Sequence, residues 1–197
     1  MPPISTNMHF GKIFIENSED EIDIRSFILG IASPDTFNED DFEEMHSFDE
    51  DGNVDVREFY EQFNLKKLNV TEKSFVLGYY CHLWFDEYYK FNASKLTVHN
   101  SLELSDEEMG TALKSTLRHY DYKAINNFFE KYVKDIDSYD LKMGLKEFSE
   151  VNMKKSKEKI QEFLRGSKSE IIYPQLIEED EYMRFIKNGY SKIKKSL

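Results

Sequence analysis

The sequence predicts an all-α protein, and three observations carry that prediction. Glycine and proline, the residues that interrupt helices, number only 8 and 4 in 197 residues. No stretch reads as the strict apolar/polar alternation of a half-buried strand. Apolar residues instead return every three to four positions over long windows, the period of a helix face turned to a core. The hydrophobic fraction is 40%, with 16 Phe and 12 Tyr, which argues against disorder and supplies enough apolar surface for one core. A single helical domain over residues 1–197, a multi-helix bundle, is therefore expected.

Taken in order, residues 4–17 form a short helix with Ser5 or Thr6 as N-cap. Residues 22–32, IDIRSFILGIA, form a second. Ser33-Pro34-Asp35 ends it, because the residue before proline is pushed out of the α region. An acidic helix is expected near 39–47, a loop at 49–55 and a short helix at 56–64. Residues 71–90, TEKSFVLGYYCHLWFDEYYK, are apolar nearly all round and mark the central buried helix, starting near Thr71 or Glu72. Residues 92–104 are irregular. Helical periodicity returns over 106–133, carried by Leu117, Tyr120, Ile125, Phe128, Phe129 and Tyr132. Further helices are expected over 139–165 and, after a loop at 166–173, from Pro174 to about 194.

The formal net charge is −12. Binding to nucleic acid relies on Lys and Arg neutralising phosphates, so this balance counts against a nucleic-acid partner. A bound metal ion would reverse the local field and leave a phosphate-processing enzyme open. The single cysteine, Cys81, allows no intrachain disulfide. MPPISTNMHFGKIF lacks a basic segment followed by an apolar one, and no run reaches the roughly 20 apolar residues of a membrane span. A cytoplasmic location is the expectation.

The sharpest chemical feature lies in the central helix. His82 and Asp86, at i and i+4, share one face. No Lys or Arg stands between Ser74 and Tyr89 to neutralise Asp86. A buried carboxylate without a partner costs several kcal/mol, so it needs a cation: a distant basic side chain, His82 itself, or a divalent metal. His with carboxylate is a suitable zinc pair. Three further residues stand near predicted helices: His9 in NMHFGKIF, Asp35 in FILGIASPD and His46 in FEEMHSFD. His99 and His119, in a loop and on an amphipathic helix, are second-tier candidates.

The order and wording of these phrases resemble the zinc-dependent phospholipase C family. MHFGKIF, FILGIASPD, EEMHSF and SFVLGYYCHLWFDEYYK follow the family's order of an early His, a Pro-Asp, a His and HxxxD on a central helix. LGYYCHLWFDEYY is the most specific of the four. The resemblance covers residues 8–90, and LRHYDYKAINNFFEKY is more loosely similar to a family helix. It implies a phospholipase C-like all-helical fold and a metal site. His46, His82, Asp86 and Asp35 would surround one zinc ion, and His9 would help to hold a second, bridged by Asp86. Asp35 would orient or deprotonate the attacking water. The implied reaction is hydrolysis of a phosphoric ester, on a small or phospholipid-derived substrate. The family's three-zinc members carry two further histidines and a glutamate after HxxxD. Here only His99 and His119 remain, and Lys123 follows His119 at i+4, so one or two ions are implied.

DEDGNVDVREF at 49–59 superficially suggests a calcium loop. Counted from Asp49, however, the glycine position falls on Val54 and the bidentate glutamate position on Tyr60. DIDSYD at 135–140 fails in the same way. Two functions of different class follow: a metal-dependent phosphoric ester hydrolase, or a non-enzymatic metal- or calcium-binding helical protein whose acidic surface serves a partner. Convergence of His9, Asp35, His46, His82 and Asp86 in space would favour the hydrolase.

Overall fold

The structure is a computed structural model that describes residues 2–36, 55–99, 104–145, 148, 152–166 and 176–197. Among these there are seven α-helices and no strand: α1 (Ile4–Asn17), α2 (Ile24–Ala32), α3 (Val56–Glu61), α4 (Val70–Asn92), α5 (Asp106–Val133), α6 (Met153–Gly166) and α7 (Glu179–Ile193). The all-α expectation holds. His46, the helix expected near 39–47 and nearly all of the loop at 49–55 lie outside the described residues.

The helix starts follow from side-chain caps. Asp23 accepts from the Ser26 amide at 2.9 Å to begin α2. Asn69 with Glu72, and Ser105 with Glu108, form capping boxes at α4 and α5, each satisfying amides that a helix start leaves unpaired. The α4 cap is thus Asn69, just ahead of the expected Thr71 or Glu72. At α1 the expected caps are not used as such. Pro3 holds the cap position, and the Ser5 and Thr6 hydroxyls point instead to α5, a choice that matters below.

The bundle is organised on α4. Phe75, Val76, Tyr79, Cys81, Leu83 and Phe85 are all buried, and α1, α2, α3 and α7 pack around this helix. Against α2 the approach is backbone to backbone. A Cβ at Gly78 would run into the Phe27 carbonyl, and one at Gly30 into the Phe75 carbonyl. Two glycines therefore let α2 and α4 cross more closely than side chains permit. This crossing brings the C-terminal end of α2, and the Pro34–Thr36 3-10 turn after it, alongside His82.

One element departs from expectation. Residues 139–145 are not helical, and α6 begins only at Met153. In YDLKMGL, Tyr139, Leu141, Met143 and Leu145 are partly buried against the core, while Asp140, Lys142 and Gly144 are exposed. That is a period-two alternation, contrary to the expectation that the chain contains none. Among the described residues the strap has no sheet partner, and it is held by side chains. The Gly144 amide donates to the Glu72 carboxylate at 3.1 Å, and Lys157 donates to the Tyr139 carbonyl at 2.7 Å. The last helix also starts later than expected, at Glu179, with Leu176 and Ile177 buried ahead of it.

Candidate metal centre

His82 sits on the buried face of α4 with its side chain fully enclosed. Its Nδ1 lies 2.8 Å from the Ile31 carbonyl oxygen. A carbonyl only accepts, so Nδ1 carries the proton and donates. The close crossing at Gly30 and Gly78 is what places that carbonyl within reach. Asn7 Nδ2 is 3.3 Å from the same nitrogen. Since both atoms are then donors, the productive bond of Asn7 is the one to Asp86 Oδ1, at 3.0 Å.

The other ring nitrogen faces two carboxylates. Nε2 is 3.4 Å from Asp86 Oδ2, one turn along α4, and 3.7 Å from Asp35 Oδ1, delivered by the turn after α2. The i, i+4 pairing was legible in the sequence, and the arrival of Asp35 from 47 residues away needed the crossing. Asp86 is buried, and its Oδ2 has no hydrogen-bond partner among the described residues. Burial disfavours a charged imidazole here, but Asp86, Asp35 and the Ile31 carbonyl outweigh it and raise the His82 pKa from 6.5 to about 9. Asp35 is further held by Lys159 of α6. The ammonium donates to the Asp35 backbone carbonyl at 2.7 Å and lies 3.3 Å from its Oδ2. Among the described residues no group of three or more His, Cys, Asp or Glu side chains is gathered closely enough to hold a metal ion as it stands. The arrangement is a line of ion pairs, Asp35–His82–Asp86, tethered by Lys159 and Asn7.

His9 turns to a different carboxylate. Its Nδ1 is 2.9 Å from Asp121 Oδ1 on α5, and among the described residues no hydrogen bond or ion pair joins it to Asp86. Asp121 is wholly buried. It also accepts from Ser5 Oγ and Thr6 Oγ1, both at 2.8 Å, and from Tyr182 Oη at 2.7 Å. Burial, with the Asp121 charge beside it, raises the Tyr182 hydroxyl well above its usual range, so that oxygen stays a donor. Reading the sequence missed Asp121, Asn7 and Lys159. The signal available was an aspartate on the apolar side of a helix already periodic at Leu117, Tyr120 and Ile125. His99 lies exposed in a loop whose amide donates to the Leu176 carbonyl at 2.7 Å. His119 packs edge-on against Tyr120, and Lys123 pairs with Glu179 at 2.8 Å.

No helix among the described residues is long and apolar enough to cross a membrane. Compared with protein-family models, curated proteins and solved structures, the chain matches none.

Proposed function

We propose that this chain is a metal-dependent hydrolase of a phosphoric ester, phospholipase C-like, with His82, Asp86 and Asp35 as ligands of a divalent ion, zinc by preference. The observation that carries the reading is the convergence of Asp86 and Asp35 on His82 Nε2, at 3.4 and 3.7 Å. Two donors that each lie about 2.1 Å from a tetrahedral ion stand roughly 3.4 Å from one another, so each carboxylate lies near ligand spacing from Nε2, and the three groups would have to draw together around an ion. Asp86 Oδ2, which accepts no hydrogen bond from the described residues, supports it, as does Nδ1–H donation to Ile31, which would keep Nε2 as the ligating nitrogen once its proton leaves. The resemblance in order and wording to the zinc-dependent phospholipase C family adds His46 to this ion and His9 to a second.

When bound, such an ion lowers the pKa of a coordinated water towards neutrality. Asp35, held by Lys159 at its backbone carbonyl and its carboxylate, would be the residue to orient a water and accept its proton. Lys159, one-third exposed, also puts a cation beside the site that suits the phosphoryl oxygens of a small or phospholipid-derived ester. The competing reading is a structural ion cluster without metal, in a protein that serves a partner. It is favoured by the charge count of two carboxylates against His82 and Lys159. Elemental analysis of purified protein, thermal melting with and without zinc, and a screen of phosphomonoesters and phosphodiesters separate the two. The hydrolase reading expects bound metal, a higher melting temperature with zinc and ester cleavage. Absence of metal with no effect of added zinc sinks it.

A further inference from the structure

We propose that the cavity between α3 and the outer side of α4 is a binding site for a small organic cation, an ammonium group carried on an apolar body. It is a second site, and it does not depend on the function proposed above.

At about 100° of turn per residue, Tyr80, Trp84, Glu87, Tyr88 and Phe91 fall on the side of α4 opposite His82 and Asp86. Against that side lies α3, and the two helices enclose a cavity of about 900 Å³, the size of a small-molecule pocket. Five aromatic rings line it: Tyr60 from α3, with Tyr80, Trp84, Tyr88 and Phe91 from α4. The wall is fixed before any ligand arrives. Trp84 stacks nearly parallel on Phe10 of α1 and on Tyr88, at 8° and 11°. The Tyr60 and Tyr80 rings meet with centroids 4.6 Å apart. Phe91, 60% exposed, stands at the mouth, an unusual position for a large apolar ring unless it meets something there.

Charge selects the ligand. Among the described residues of the lining, Asp55, Glu61 and Glu87 stand against the single guanidinium of Arg57, which is paired with Glu61 at 2.7 Å. An anion would be repelled. A neutral ligand closing over this wall would strip water from the excess negative charge and return nothing for it. An organic cation answers the carboxylates and lays its apolar body on the rings, whose faces attract positive charge within about 6 Å. Two rings of the wall already take an ammonium from outside the cavity. Lys192 Nζ lies 5.1 Å from the Tyr88 centroid, and Lys90 Nζ lies 5.6 Å from that of Phe91.

Trp84 is the only tryptophan of the chain, so its fluorescence reports on this wall alone. The test titrates the full chain, in chelator and at constant ionic strength, with benzyltrimethylammonium, benzyl alcohol and benzoate. A saturable change of Trp84 emission is expected with the ammonium, with benzyl alcohol at least about 10-fold weaker and no response to benzoate. Phe91→Ala, at an exposed position, should weaken the ammonium several-fold. Glu87→Gln should do the same while leaving benzyl alcohol as it was. No saturable response, or equal affinity for the ammonium and the alcohol, overturns the proposal. So does an unchanged ammonium affinity in both variants. Trp84 emission that follows protein concentration in place of ligand, with dimers in sedimentation that Phe91→Ala dissolves, gives the cavity to a second copy and also overturns it. Failure here with zinc uptake intact leaves the hydrolase reading standing.

Discussion

His82 stands between Asp35 and Asp86, and its removal would leave the buried Asp86 and the partly buried Asp35 without the imidazole that lies between them. Breaking a buried ion pair by deleting one partner costs about 3–5 kcal/mol. His82→Ala should therefore melt well below wild type in chelator, and its melting temperature should no longer respond to zinc. The titration of the same residue has a definite sign. Its folded pKa, about 9, exceeds the unfolded 6.5, so the folded chain holds the extra proton between those values. The contribution is fully present below pH 6.5 and is lost as pH rises through 9, amounting to about 3 kcal/mol. Denaturant titrations in chelator from pH 6 to 10 should show that decline, and His82→Gln should flatten it. On the function proposed, zinc would compete with the same proton, so its affinity should rise across the interval in which metal-free stability falls.

Among the elements, the crossing of α2 with α4 does most to build the site. Gly78→Ala would drive a methyl into the Phe27 carbonyl, and backbone yields less readily than a side chain. Overpacking of this kind costs roughly 1–3 kcal/mol. The prediction is a melting temperature lower by several degrees, together with loss of the His82–Ile31 hydrogen bond, visible as a shifted His82 nitrogen resonance. Asn69→Ala, which removes a capping box far from the site, should cost about 1 kcal/mol and leave that resonance in place. Contrasting the two variants separates the effect of the crossing from general destabilisation. The strap at 139–145 makes a different point about elements. Its Tyr139, Leu141, Met143 and Leu145 alternate with Asp140, Lys142 and Gly144, so a period-two signal was present in the letters. Seven residues between two helical windows read as helix because helix formers dominate them, and the tertiary surface they cover overrides that local preference.

At the scale of the whole molecule, a net charge of −12 sets a long-range field that favours cations and opposes polyanions. No retardation of duplex DNA is expected in a gel-shift assay at 50 mM salt, with or without chelator. On the function proposed, Asp35 and Asp86 set in such a field would favour a divalent ion, whereas an anionic ester would have to be met by Lys159 and that ion.

The sequence by itself determined the class of the fold, the helices at 4–17 and 106–133, the central helix and the pairing of His82 with Asp86. Each of these is a local matter of period, capping residues or i, i+4 spacing, which a few adjacent turns decide on their own. Tertiary structure alone decided that Asp35 reaches His82, that Lys159 holds Asp35, and that Ser5, Thr6 and His9 close on Asp121 from 112 to 116 residues away. Those contacts depend on how closely α2 crosses α4 and on which side of α1 meets α5. Such choices are made by packing across the core, where no short-range pattern of letters records them.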